Sequence, residues 1–164
     1  MNMKKISIEA VVFFLGILGF IYVAMISDIY VSKRQVCSGK LGGLAIGIKK
    51  QIAAEGMISK SCWCDTLVKK YLVYKDYFTC PGANKNGGYA INKNVLNVNR
   101  FPPDVVVLFD SKSGWNQIGG KELLAPENHK GKGCNILFGN MEVRFIEVKD
   151  FDKLKWNADA NSNQ

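Results

Sequence analysis

The chain has 164 residues, with 22 Lys and Arg against 14 Asp and Glu and a formal net charge of +8 at pH 7. This length supports one modest core rather than two domains. The lysines are scattered and form no basic stripe interleaved with aromatic residues, so the charge argues against a nucleic-acid partner.

The first predicted element is the stretch from Ala10 to Ile26, which contains no charged residue. As a helix it covers about 26 Å, close to the roughly 30 Å hydrocarbon layer of a bilayer. It is apolar on every side, which argues against a buried soluble helix. A cleavable secretory signal competes, because Lys4 and Lys5 form a basic start, but no clear small-x-small cleavage site follows. We therefore predict an uncleaved transmembrane anchor within segment 1–31.

Residues 32–56 are predicted to continue this helix as an amphipathic stalk. Apolar residues recur here every three or four positions, which places them on one helix face. These residues are Cys37, Leu41, Leu44, Ile48 and Ile52. Four glycines lie between Cys37 and Ile48, and each destabilises a helix interior by roughly 1 kcal/mol relative to alanine. The stalk therefore needs packing against its own domain or against neighbouring subunits.

A head domain is predicted over residues 57–156. It opens with a short helix that has Ser61 as its N-cap and apolar residues at helical spacing from Trp63 to Tyr71. Asn and Gly residues over 84–88 then predict a turn before a strand from Tyr89 to Asn92.

The centre of the core is predicted at the continuous β-branched and aromatic run from Val105 to Phe109. The run is bounded by Pro103 on one side and by turn residues from Ser111 to Gly114 on the other. This pattern is typical of a fully buried central strand.

Two further strands are predicted to form a hairpin, the first from Asn135 to Phe138 and the second from Met141 to Ile146. The two residues between them, Gly139 and Asn140, favour a tight turn with positive φ angles. Alternate residues from Met141 to Phe145 would then share the buried face, leaving the charged residues between them outward.

A short closing helix is predicted from Asp150, and residues 157–164 form a loose tail. Together these elements predict an α+β fold. A long N-terminal transmembrane helix continues as a stalk and ends in a small antiparallel β-sheet domain.

Five cysteines are a high number for a domain of this size. They are Cys37, Cys62, Cys64, Cys80 and Cys134. In an oxidising compartment they permit two disulfides with one thiol left over, and the candidates are the first four, with Cys80 paired to any of the other three. In the cytosol all five would stay reduced.

No cofactor is expected. A zinc site from Cys62, Cys64, Cys80 and His129 was considered, but Cys-x-Cys is not the usual Cys-x2-Cys knuckle. A calcium site from Asp104, Asp110, Glu122 and Glu127 lacks the dense ligand spacing of a calcium loop.

His129 is the only histidine. As a general base it would need a nucleophile and an orienting partner, and the sequence identifies neither. The interpretation we favour is a histidine that stabilises the turn from Asn128 to Gly133, so no catalytic residue is assigned.

Several stretches together resemble the C-terminal region of bacterial prepilin-type proteins, whose motif is a His followed some nine or ten residues later by Asp-Gly. The matching residues are Tyr77 to Thr79 with Cys80-Pro81, Tyr89 to Asn92, Pro102 to Asp110, Asn128-His129, and Gly133 to Phe138 with Asn135 among them. The resemblance covers about residues 77–156.

Two parts of the chain depart from the pattern of this family. Glu9 occupies the place of the glutamate found early in pilin anchors, but Lys4 stands where the processing glycine is found. Gly139-Asn140-Met141 replaces Ala-Asp-Gly, so that Asn140 takes the position of the aspartate. The resemblance therefore does not extend to the processing site or to a role of that carboxylate.

The resemblance implies a pilin-like fold and a structural role rather than an enzymatic one. The protein would be a membrane-anchored subunit similar to a pseudopilin, contributing to a type II secretion or type IV pilus-like fibre. Its partners would be membrane lipid and other pilin-like subunits or copies of itself. It would lie in the bacterial inner (plasma) membrane as a single-pass protein with a periplasmic, extracytoplasmic C-terminal domain.

An alternative function is compatible with the same fold. The chain would then be an unprocessed, membrane-anchored extracytoplasmic binding or sensory domain. The departures at Lys4 and at Asn140-Met141 favour this alternative, because they remove features linked to processing and polymerisation.

Overall fold

The computed structural model describes residues 8–58, 61–83, 87–96, 98, 100–112 and 114–158, and within these the backbone alone for 8–10 and 27–32. The chain divides into two compact units, Met1–Ser32 and Lys33–Gln164. The long helix α1 (Ile8–Glu55) contributes to both units.

The first unit consists of the N-terminal part of α1. The large apolar side chains of residues 11–26 are exposed, from 38% for Ile26 to 77% for Phe20. Within the described part of the chain, no helix combines the length and the apolar character needed to cross a membrane. The predicted transmembrane helix is therefore wrong. The described apolar stretch has 16 residues, whereas a membrane-spanning helix needs about 20.

In the second unit, α1 packs along the face that its periodicity predicts. Cys37, Leu41, Leu44 and Ile48 are fully buried, and Ile52 is partly buried against them. Two glycines of this part are sites of close approach. A Cβ atom on Gly47 would lie 2.7 Å from Val73, and one on Gly43 would collide with the ring of Tyr77. Packing within the domain therefore offsets the low helix propensity of the glycines.

The short helix α2 (Trp63–Tyr71) lies where the sequence predicts a helix. Its N-cap is Cys62 rather than Ser61, and no side chain caps it. The helix is instead held by its buried face, since Trp63 and Leu67 are fully buried and Trp63 Nε1 donates to the carbonyl of Gln117 at 3.1 Å.

Five strands form one sheet in the order β3-β1-β2-β4-β5. They are β1 (Gly88–Asn92), β2 (Val106–Ser111), β3 (Ile118–Gly119), β4 (Gly133–Phe138) and β5 (Val143–Glu147). Most neighbours are antiparallel, but β3 runs parallel to β1. The sheet is thus mixed, which corrects the predicted antiparallel sheet. After β2 the chain crosses to the far side of β1 and adds a strand of only two residues, too short to leave a periodic pattern.

The central strand is β2, as predicted, and all six of its residues are buried. One face of the sheet packs on α1 and α2, and the other face packs on the C-terminal segment through Phe151, Leu154 and Trp156. Cover on both faces explains why the sequence of β2 is continuously apolar up to Asp110.

The hairpin of β4 and β5 forms as predicted, but its turn differs. The connection covers residues 139–142, and the positive φ, +66°, belongs to Met141. Gly139 is required for another reason, because a Cβ atom there would collide with the carbonyl oxygen of Pro102.

The C-terminal end of the described chain is a 3-10 helix, Val148–Lys153. It begins two residues before the predicted start at Asp150. Phe151 and Leu154 are half-buried, and Trp156 meets the ring of Phe109 edge-on, with centroids 5.1 Å apart. The predicted tail lies outside the described residues from position 159 onward.

Candidate functional site

Four side chains with metal-binding or acid-base chemistry converge in the interior of the second unit. They are Cys37, Cys80, Asp110 and His129, and we call them the Cys-Asp-His cluster. One donor atom from each lies within 4.8 Å of the donor atoms of the others, and all four residues are buried.

Each member of the cluster is supplied by a different element. Cys37 lies on the buried face of α1, and Cys80 follows a 3-10 helix (Lys75–Phe78). Asp110 belongs to the central strand β2, and His129 ends a second 3-10 helix (Pro126–His129). The cluster therefore forms only when these distant parts of the sequence fold together.

Backbone contacts fix the two cysteines in place. The buried hydroxyl of Tyr89 donates to the carbonyl oxygen of Cys37 at 3.1 Å. The amide of Cys80 donates to the carbonyl of Gly87 at 3.0 Å. Both contacts join the cysteines to the region of β1, which pairs with β2 and its Asp110.

The histidine and the aspartate are in direct contact. Nε2 of His129 lies 2.8 Å from Oδ2 of Asp110 and 3.6 Å from Sγ of Cys80. Oδ2 of Asp110 also accepts hydrogen bonds from the amide nitrogen of Asn135 at 2.6 Å and from its Nδ2 at 3.2 Å. The other carboxylate oxygen, Oδ1, is buried without a hydrogen-bond partner among the residues that the structure describes.

The loop after Cys80 approaches the histidine so closely that only glycine fits. A Cβ atom on Gly82 would lie 2.5 Å from the carbonyl oxygen of Asn128 and 2.9 Å from Cε1 of His129. Asn128 is itself held by a hydrogen bond from its Nδ2 to the carbonyl of Ser111, at 2.9 Å. The Cys-Pro-Gly sequence thus places the thiol beside the imidazole.

Mutual contacts shift the protonation equilibria of the cluster. The hydrogen bond from Cys80, helped by those from His129 and the Gly82 amide, outweighs burial and lowers the pKa of Cys37 to about 6. The hydrogen bond to Cys37 and burial raise the pKa of Cys80. Burial acts to lower the pKa of His129, but the hydrogen bonds to Asp110 and Cys37 outweigh it and raise the pKa to about 9. Of the two thiols, Cys37 is therefore the more readily deprotonated, and the contact with Asp110 favours a protonated His129.

The structure brings together four of the family-motif residues: Cys80, Asn128, His129 and Asn135 line or support the cluster. Pro81 lies in the turn that follows Cys80. Phe138 is buried at the end of β4, with the Arg144 guanidinium 3.8 Å from its ring centroid.

Two other residues of the motif lie apart from the cluster or outside the description. Asn140 is exposed, and its Oδ1 accepts a hydrogen bond from the Glu142 amide at 3.1 Å. Glu9 belongs to α1, but its side chain lies outside the described residues.

The zinc set considered from sequence is not assembled. Cys62 contacts Thr66, with Sγ and Oγ1 3.8 Å apart, and Cys64 Sγ accepts from the Asn116 amide at 3.3 Å. Burial raises the pKa of Cys64 to about 12. All five cysteines are among the described residues, and no disulfide joins them.

The acidic residues considered for calcium are also dispersed. Asp104 pairs with Lys155, Glu127 pairs with Lys112 at 3.7 Å, and Glu122 accepts from the Gly120 amide at 2.8 Å. Of these four residues, the only one in the Cys-Asp-His cluster is Asp110.

Sequence reasoning missed the partnership of Cys37 and Asp110 with His129. By its spacing in the sequence, Cys37 is one of the apolar residues on a single helix face. Asp110 did carry a signal, because a carboxylate that directly follows the apolar run from Val105 to Phe109 must find a partner inside the protein.

The fold and the cluster define an α+β protein with a mixed five-stranded sheet and a buried Cys-Asp-His site. Comparisons with protein-family models, with curated proteins and with solved structures found no match.

Proposed function

We propose that the protein is a structural subunit of the pilin-like kind, which assembles with copies of itself through the N-terminal part of α1. The observation that carries this proposal is the exposure of large apolar side chains along residues 11–26. The resemblance of residues 77–156 to prepilin-type proteins supports the same function.

The exposed apolar surface surrounds the helix instead of forming one stripe. Four consecutive residues, 12–15, are 63%, 68%, 66% and 63% exposed. Consecutive side chains of an α-helix point about 100° apart, so these four cover every side. A single partner groove would leave part of this surface in water.

Several neighbouring helices are therefore needed to bury it. Burying one Val, Leu, Ile or Phe side chain contributes about 1.5–3 kcal/mol, and exposed apolar surface of this extent marks an interaction site. A repeating assembly of identical chains supplies equivalent helices on all sides, and head-to-tail contacts that do not close into a ring generate a filament. Gly16 and Gly19 have nothing within 4 Å of a Cβ position, which leaves room for close approach of a neighbouring helix.

The proposal is tested by site-specific photocrosslinking of the full chain. A photoreactive phenylalanine analogue at Leu15 is expected to crosslink to residues 11–26 of another copy. The same analogue at Leu72, which is 80% exposed in the second unit, is the control and should give no such product. If Leu15 yields no crosslink between copies, the proposal is overturned.

Sedimentation of matched variants provides a second measurement. Leu15 and Leu18 are 63% and 60% exposed, so replacing both by Gln should leave the fold of the second unit intact. We expect the Leu15→Gln, Leu18→Gln variant to sediment at lower mass than the wild type, and Leu72→Gln to sediment with the wild type. Equal masses for all three proteins would contradict assembly through the helix.

A further inference from the structure

We propose that Cys37, Cys80, Asp110 and His129 bind one divalent transition-metal ion, with zinc as the best match. This inference is independent of the proposed assembly, since residues 11–26 belong to the first unit. It concerns a different ligand set from the one considered from sequence, with Cys37 and Asp110 in place of Cys62 and Cys64.

The geometry of the donors is close to that of a tetrahedral site. With metal–sulfur distances of about 2.3 Å and metal–nitrogen distances of about 2.0 Å, neighbouring ligand atoms lie roughly 3.3–3.8 Å apart. Cys80 Sγ and His129 Nε2 are already 3.6 Å apart. All four donor atoms lie within 4.8 Å of one another, so small side-chain movements complete the shell.

The aspartate offers the fourth ligand in either of two ways. Its Oδ2 lies 2.8 Å from His129 Nε2, a hydrogen bond that the metal would replace. Its Oδ1 is buried with no hydrogen-bond partner in the described parts of the chain, and a buried carboxylate oxygen is stable when it is paired or coordinates a metal.

The donor set also suits a cation. The Asp110 carboxyl group is buried and paired with His129, and two thiols are buried beside it. A divalent ion would compensate the negative charge that these donors carry when they act as ligands, so that no buried charge is left unpaired.

Metal binding requires ligands without protons. Any S–H bond of Cys37 and Cys80 and the Nε2–H bond of His129 break, metal–sulfur and metal–nitrogen bonds form in their place, and the protons pass to water. The affinity should therefore rise with pH, as it does for metal sites whose ligands must lose protons.

Surrounding groups orient the ligands. The Tyr89 hydroxyl donates to the carbonyl oxygen of Cys37 at 3.1 Å, and the Asn135 amide donates to Asp110 Oδ2 at 2.6 Å. Such outer contacts are typical of metal sites and hold the ligands in place.

The donor types select the metal and its role. Two thiolates and one imidazole favour zinc over magnesium or calcium, which prefer oxygen ligands. Four protein ligands and full burial leave no open position for a substrate, so the metal would be structural. Its effect would be to tie α1, the loop after Cys80 and the strand β2 together.

The test starts from the full chain treated with a chelator and a reductant, to which zinc chloride alone is added. We expect one zinc ion per chain, bound with release of protons and more tightly as pH rises. Cobalt added in its place should give the charge-transfer absorption of thiolate ligands, and the X-ray absorption of the bound zinc should show two sulfur neighbours.

Matched cysteine variants identify the ligands. Cys80 is 4% exposed and Cys64 is 2% exposed, so replacing either by Ser perturbs the core to a similar degree. Cys80→Ser should weaken zinc binding by at least about 10-fold, because loss of a residue that only supports a metal ligand already lowers affinity by about that factor. Cys64→Ser should bind zinc as the wild type does.

Three results would overturn the proposal. The first is equal zinc affinity in Cys80→Ser and Cys64→Ser. The second is wild-type protein, as isolated, that contains a Cys37–Cys80 disulfide and no zinc. The third is a zinc shell without sulfur in the X-ray absorption of the wild-type chain, a measurement that remains decisive even if a variant fails to fold.

Discussion

His129 Nε2 and Asp110 Oδ2 lie 2.8 Å apart with both side chains essentially excluded from solvent, 1% and 0% exposed. This contact joins the short 3-10 helix before β4 to the central strand. A charged pair so deeply buried is sensitive to the loss of either partner, because the remaining group cannot be solvated.

Asp110→Asn is therefore expected to destabilise the metal-free protein by about 3–5 kcal/mol at pH 7, since the buried imidazolium loses its counter-charge. Urea unfolding followed by tryptophan fluorescence measures the change. Glu127→Gln is the control, because Glu127 pairs with Lys112 on the surface, and it should change the stability by about 1 kcal/mol or less. Similar losses in the two variants would contradict a buried ion pair.

Gly82→Ala tests the close approach of the Cys80 loop to the histidine. The new methyl group would lie 2.5 Å from the Asn128 carbonyl oxygen and 2.9 Å from the His129 ring, so we expect a loss of about 1–3 kcal/mol from overpacking. Gly39→Ala provides the matched control, since nothing lies within 4 Å of its Cβ position and alanine favours the helix by up to about 1 kcal/mol. The midpoint temperature of thermal unfolding should fall for Gly82→Ala and rise for Gly39→Ala.

The buried thiol of Cys64 predicts a pH dependence at high pH. Burial raises its pKa from 9.0 to about 12, so above pH 9 the unfolded chain loses a proton that the folded chain keeps. The contribution of this group to stability is complete below pH 9 and is lost as pH rises toward 12.

Replacing the Cys64 thiol should make the decline of the free energy of unfolding between pH 9 and 12 shallower, by up to about 1.4 kcal/mol per pH unit. Chemical denaturation of Cys64→Ser and wild type across this range gives the two slopes. Cys62→Ser is the control, because Cys62 is only half-buried at the start of α2. Parallel curves for Cys64→Ser and the wild type would count against the assignment.

The two sides of α1 in the second unit should respond differently to truncation. Leu44 is fully buried and Ile46 is 61% exposed. Leu44→Ala is expected to lower the free energy of unfolding by about 2–5 kcal/mol, and Ile46→Ala by about 0.5 kcal/mol or less. Comparable losses at the two positions would show that the face observed here is not the packed one in solution.

Elements with strong periodic signals were predicted from the sequence. The buried face from Cys37 to Ile52 follows the helical repeat, and the apolar run ending at Phe109 marks the central strand. Both signals arise because many residues of one element are buried, so the local sequence pattern was sufficient to predict these two elements.

Features set by contacts between distant segments were not predicted. The parallel strand β3 contains two residues and depends on its pairing with Ile91 and Asn92. Gly139 is a glycine because of Pro102, which lies 37 positions earlier in the numbering. The proximity of Cys37 and Asp110 was not predicted for the same reason. It depends on how α1 and β2 pack together in the tertiary fold.

The transmembrane prediction failed for a different reason. The apolar content of residues 10–26 predicts a transmembrane helix. The described apolar stretch is nevertheless shorter than the hydrocarbon core of a bilayer requires. Surface exposure of the same side chains, described above for residues 11–26, is information that only the three-dimensional structure provides.

The edge strands of the sheet limit the association of this molecule through strand pairing. One margin, β3, offers only two residues of open backbone, and the other, β5, carries the exposed charges of Arg144 and Glu147. Short and charged margins disfavour the docking of a foreign strand. Amyloid-like stacking through the sheet is thereby discouraged, and the proposed assembly through α1 would not compete with it.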